Sequence, residues 1–201
     1  MNIKSYLTEI ALQNGLASES MQLPDCEIDP ETIKIVMISE VPPQNPEDGF
    51  YSKAPEPDYM KTTLALFWDA GVMVHSIEDI LAQNIYITTA VKTPKTEYTV
   101  DPAVIKEQLP ILKAELALFP NLRVVMLMGD VAKKAVNMIA KEQTKKNVIP
   151  SAPTCRVRGG EFYLNQLRVI PSYIMTGKNL LIEPFKRDTV SEDIKAAMKL
   201  I

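Results

Sequence analysis

The sequence predicts an α/β fold, a three-layer α/β/α arrangement around a central, mostly parallel sheet, and three observations carry that expectation. Residues 33–38 and 123–128 are apolar runs without the polar alternation of a half-exposed strand, so each reads as a strand covered on both faces. Segments with apolar residues at helical spacing lie between these strands and a further one at 85–91, the alternation that parallel sheets with helices on both faces require. The run at 123–128 ends in Gly129 and passes at once into a helix, a βα turn whose free amides can meet a phosphate or another anion.

In order, residues 3–16 form an amphipathic helix with Ile3, Leu7, Ile10 and Ala11 on one stripe and Gly15 as its stop. Residues 18–31 read as a polar linker with Pro24 and Pro30. The first strand stops at Glu40, and Pro42 and Pro43 then prevent strand or helix from continuing. The loop that follows runs to about Pro57, a length usual for functional or disordered segments. A helix over 58–70 ends at Gly71, and Ser76 caps a short helix with Asp79 three residues on. Asp101-Pro102 starts a longer helix, running to Phe119, that Pro110 should kink. The helix after Gly129 covers 130–141, short strands at 161–164 and 167–170 flank Asn165-Gln166, and a loop over 171–184 leads to a closing helix. The expected organisation is a single domain, 1–201, in which 1–31 are an N-terminal helix and linker.

Composition narrows the function. With 22 Lys and Arg against 25 Asp and Glu, the net charge of −3 advertises no general affinity for nucleic acid, so any such contact has to be local. The two cysteines, Cys26 and Cys155, are far apart and lack metal-ligand spacing, so no cofactor is expected. The N-terminus is neither a signal peptide nor an anchor, which makes the chain cytoplasmic by expectation, with monomer as the default state. His75 reads as a surface or capping residue, the lysines between 133 and 146 as a wet helix face, and the ten methionines as core filler.

Glu40 is the candidate chemical group. It stands at the C-terminal end of a strand, where open α/β sheets form their ligand crevices, and the two prolines are expected to hold it facing that crevice. A solvated acid opening a surface loop is the bland alternative. Three loops should converge there: that of Glu40, residues 88–94, and residues 171–178.

Those loops carry a resemblance. The segments SEVPPQNPEDGFY (39–51), IYITTAVKTP (85–94), VVMLMGDVAKKAV (124–136), RVRGGEF (156–162), VIPSYIMTGKN (169–179) and SEDIKAAMKLI (191–201) resemble, in order and spacing, motifs of the uracil-DNA glycosylase superfamily, and within it those of family 4. The resemblance implies the superfamily's fold and a protein that flips a damaged base from DNA and hydrolyses its N-glycosidic bond. It places Glu40 at the water-positioning acid, and Phe50 or Tyr51 at the aromatic that stacks on the base. Thr89 and Ile170 match the base-binding Asn and His. Ser172, Tyr173, Lys178, Arg158 and Gly129 are the expected DNA contacts.

Three departures accompany it. Thr89 offers one hydroxyl where the family's Asn offers a donor and an acceptor in one plane. Ile170 removes the side-chain donor for the leaving base. The iron-sulfur cysteines are absent, one of their positions falling on Thr93 and another near Gln108. Uracil specificity is therefore in doubt even where cleavage survives. Two rival readings stand beside the glycosylase: a non-catalytic module binding damaged or single-stranded DNA, and a binder or hydrolase of a small nucleoside-like ligand.

Overall fold

Strands β1 (Ile35–Ser39), β2 (Ile85–Thr89) and β3 (Val124–Met128) are buried at every position, as their unbroken apolar runs demand. The computed structural model describes residues 1–177, 180 and 183–201. Within them, one five-stranded sheet has the order β2-β1-β3-β5-β4, completed by β4 (Phe162–Leu164) and β5 (Leu167–Ser172). All pairs are parallel except the β4–β5 hairpin at the edge, where Asn165 takes a left-handed φ of 55° in a two-residue turn.

Side-chain alternation divides each strand between two cores. Val36, Ile38, Tyr86, Val125, Leu127 and Val169 point into one, shared with α1 (Ile3–Gln13), α4 (Pro102–Ala117) and α5 (Asp130–Thr144). Ile35, Met37, Ile85, Ile87, Val124, Met126 and Met128 point into the other, under α2 (Asp58–Asp69), α3 (Ile77–Ala82) and α7 (Pro184–Met198). A short helix, α6 (Thr154–Val157), precedes β4. This is the three-layer architecture expected from the sequence.

Local signals act as predicted at the starts of α3 and α4. Asp101 accepts from the Ala103 amide at 2.8 Å, and Ser76 from the Asp79 amide at 3.2 Å. His75 is exposed, and its backbone N–H donates to the Asp79 carboxylate. α4 runs through Pro110, which lies inside it, as the continuous apolar face requires.

Two departures from expectation have a tertiary reason. β5 extends to Ser172 because it pairs with β3 as far as Met128. Pro171 is tolerated because β4 pairs only up to Val169, leaving that part of β5 an open edge on one side. Residues 18–31 are no free linker. The chain doubles back beside the start of α1, with the Ile3 amide on the Cys26 carbonyl at 3.0 Å and the Ile28 amide on that of Met1 at 3.0 Å. Further along, the Gln22 amide donates to the Lys92 carbonyl at 2.7 Å.

Candidate active site

The C-terminal ends of β1, β2, β3 and β5 lie at one edge of the sheet, and Glu40 follows directly after β1. Its Oε1 accepts the Val131 amide at 3.1 Å, in the first turn of α5. Gly129, at the N-cap of that helix, has φ 112°, and a Cβ there would overlap the Glu40 carboxylate. The anion at the α5 N-terminus is therefore the protein's own Glu40, where free amides and the helix dipole favour negative charge. This corrects two expectations. The prolines do not leave the whole Glu40 carboxylate free toward the crevice, since one of its oxygens is taken by an amide of α5. Gly129 offers no amide to a DNA phosphate, because its N–H donates to the Ser172 carbonyl at 3.2 Å.

Gly129→Ala should be costly at this point. A left-handed φ and a Cβ pressed on a carboxylate together are expected to destabilise by about 1–3 kcal/mol. Urea denaturation would measure this, and any activity that depends on Glu40 should fall with it.

A cavity of about 420 Å³ opens beside this turn. Phe50, Tyr51 and Thr89 all line it, so residues from the Glu40 loop and from the end of β2 do meet. Pro42 and Pro43 form part of its wall, whereas Glu40, two residues earlier, is not among the lining residues. Phe50 is buried, with Tyr59 edge-on at 5.1 Å. Tyr51 is anchored by a 2.7 Å hydrogen bond from its hydroxyl to the Ile87 carbonyl, leaving its ring to the cavity. Thr89 is buried, and its hydroxyl has no hydrogen-bond partner among the described residues. One further polar atom of this edge, Ser39 Oγ, is fully buried and unpartnered among the described residues.

Other expected site residues are not brought to the cavity. Ile170 lies within β5, paired to Met126 and packed on the α2–α7 core. Ser172 is fully buried and donates to Asp193 at 2.6 Å, because its place in β5 points it at α7. Arg158 is held by Asp193 at 3.0 Å and Glu192 at 2.6 Å, so its guanidinium is committed within the fold. Tyr173 packs partly buried on the same core. Ser172 is thus taken up by an internal hydrogen bond and Arg158 by ion pairs within the chain, in place of the expected DNA roles, and Lys178 lies outside the described residues.

Among the described residues none of 171–177 lines the cavity, and residues 19–25 supply one of its walls. Sequence reading missed them because a segment without apolar period carries no local signal of what it covers. It also missed Tyr59, whose hydroxyl donates to the Val41 carbonyl at 3.3 Å and whose ring supports Phe50. Its position in the first turn after Pro57 was the available hint.

Behind the cavity floor lies a buried polar cluster. Lys92 and Glu115 pair at 2.5 Å with both side chains 1% exposed. Glu115 also accepts from Tyr86 and Thr88, each at 2.7 Å, and Lys92 donates to Thr88 Oγ1 and the Thr89 carbonyl. Burial lowers the Lys92 pKa, and Glu115 opposes that shift. The cluster clamps the C-terminal end of β2, which presents Thr89. Next to it, Gln108 Nε2 donates to Thr93 Oγ1 at 2.9 Å, while Gln108 Oε1 accepts the Lys92 amide at 2.6 Å. The two positions that resemblance assigns to cluster-ligating cysteines are therefore joined by a neutral hydrogen bond. Neither can supply a thiolate, so an iron-sulfur cluster does not fit them.

Burial also holds several acidic protons. The Cys26 thiol is pushed up to about 12 by desolvation and by the nearby Asp25 and Glu27 carboxylates. Burial likewise raises the Tyr51 and Tyr86 phenols. Groups raised in the folded state ionise first in the unfolded chain, so their stabilisation is complete below about pH 9, the ordinary thiol value, and is lost as pH rises toward 12. Lys92 acts in the opposite sense but is one group against three. The urea midpoint is expected to fall between about pH 9 and pH 11, and near pH 8 a thiol reagent should label exposed Cys155 far faster than Cys26.

No helix among the described residues is long and apolar enough to cross a membrane. A comparison with curated proteins finds no match. A protein-family model, the uracil DNA glycosylase superfamily, matches residues 27–188, a span that includes every strand, the Glu40 turn and the cavity's aromatic wall. With that match over most of its length, and with a parallel sheet whose C-terminal edge holds an acid beside an aromatic cavity, this chain belongs to the uracil DNA glycosylase superfamily.

Proposed function

We propose that the protein is a DNA glycosylase that flips a damaged base into the 420 Å³ cavity and hydrolyses its N-glycosidic bond. The observation that carries the reading is the meeting of Phe50, Tyr51 and Thr89 in one cavity next to a carboxylate seated on a helix N-terminus. In this reaction the departing base gains negative charge while the sugar becomes cation-like. An aromatic wall can stack on the base, and flipping costs a few kcal/mol that stacking and edge hydrogen bonds offset. Glu40 uses one oxygen on Val131, and its Oε2 has no partner among the described residues, so that oxygen remains to hold the attacking water and to face the sugar's positive charge. Ile170 offers no proton or hydrogen bond to the leaving base, which fits a slower enzyme than one with a donor there.

One observation favours a second reading, a binding module without catalysis: the Glu40 carboxylate is turned onto α5 and does not line the cavity. Oligonucleotides carrying uracil, hypoxanthine, xanthine or a mismatch, incubated with the protein and treated with alkali to break abasic sites, decide between them. Strand cleavage at one lesion is expected. If none is cut, the salt dependence of binding remains informative. A negative slope of log K against log salt marks phosphate contacts and a DNA-binding module, and a flat response marks a small neutral nucleoside-like ligand.

A further inference from the structure

We propose that Gln22, on the segment that walls the cavity, is the residue that reads the edge of the base, and that it selects bases presenting a ring N–H beside a carbonyl. The inference rests on the reading of the cavity as a nucleobase site and adds to it the group that sets its selectivity. Residues 19–25 line the same cavity as Thr89 at the end of β2. Gln22 is held from two sides: its backbone N–H donates to the Lys92 carbonyl at 2.7 Å, and its side-chain Nε2 donates to the Pro43 carbonyl at 2.7 Å. A carbonyl can only accept, so the amide nitrogen must face Pro43 and the amide oxygen must face away from it. That oxygen lies 3.9 Å from the point a Cβ on Gly49 would occupy, and Gly49 itself lines the cavity. Among the described residues nothing donates to it.

A fixed acceptor on Gln22 and a free hydroxyl on Thr89, able to donate, complement an N–H next to a C=O. Uracil and hypoxanthine present that edge. Cytosine and adenine present a ring-nitrogen lone pair next to an amino group, which would set two acceptors against each other. Buried polar groups left unpaired are what make such sites reject near-isosteres. Because the amide is anchored before any base arrives, the discrimination needs no rearrangement.

The test uses 1-methyluracil and 1-methylcytosine, which differ only at the edge, and measures their dissociation constants by titration calorimetry with the full chain. The wild-type protein is expected to prefer 1-methyluracil by about 10-fold or more, and Gln22→Met, similar in shape but without an amide, to bring the ratio to near one. Circular dichroism checks the fold of that variant. Should it not fold, Gln22→Asn, whose amide is one carbon short, is expected to shrink the preference in the same direction. Equal affinity of the wild type for both probes, or a preference that survives in the variant, overturns the Gln22 assignment while leaving a nucleobase site. Binding of neither probe, together with no oligonucleotide cleavage, overturns the nucleobase reading itself and this proposal with it.

Discussion

Replacing Glu40 with glutamine is expected to slow base excision by about 10²–10⁴-fold, the range associated with losing a positioned acid or base. The substitution keeps the shape of the side chain and an oxygen that can still accept from Val131, so the turn over Gly129 stays filled. What disappears is the negative charge, and with it the stabilisation of a cation-like sugar and the pull on the attacking water. Loss of a charge at the α5 N-terminus should cost only about 0.3–1 kcal/mol of stability. Activity and stability are thus separated in one variant, which Glu40→Ala would not achieve because it empties the space. The measurement is single-turnover cleavage beside a urea titration. An unchanged rate in Glu40→Gln would show that the carboxylate serves only the helix.

The second large effect is expected at Glu115. Its removal in Glu115→Ala leaves the Lys92 ammonium fully buried without its counter-charge, and takes the acceptor away from Tyr86 and Thr88 at the same time. Breaking one side of a buried pair typically costs about 3–5 kcal/mol, a large share of the stability of a domain. The double change Glu115→Leu with Lys92→Met removes both charges and is expected to recover most of that loss, because the desolvation of both ions is then avoided. Urea denaturation of the two variants measures the difference. A double variant as unstable as the single one would mean that the hydrogen bonds of Tyr86 and Thr88, rather than the ion pair, hold the end of β2.

Glu115 also shows why parts of the site were hidden in the sequence. It occurs on a helix whose apolar face reads Ile105, Leu109 and Leu112, and a charged residue there looks like solvent-facing surface. Lys92 looks equally ordinary. Only the packing of α4 against the sheet brings them together, since 23 residues separate the pair in sequence. Ser172 and Arg158 misled in the opposite way. Both sit in motifs that suggest DNA, yet α7 arrives with Asp193 and Glu192 and takes up their hydrogen-bonding groups. Residues 19–25, polar and without period, gave no sign that they wall a cavity.

The chain by itself determined its architecture and the rim on which chemistry can occur. Unbroken apolar runs demand strands covered on both faces, helical spacing supplies the covers, and an acid followed by prolines marks where β1 must end. Glu40 was legible from local pattern because it lies just beyond a strand end, whereas Phe50, Tyr51 and Thr89 were legible through the resemblance of their segments to family motifs. The tertiary structure decided the direction of the carboxylate and the composition of the cavity wall. Those depend on which helix N-terminus is nearest and which distant segment folds back, and such contacts between residues far apart in the chain leave no periodic trace.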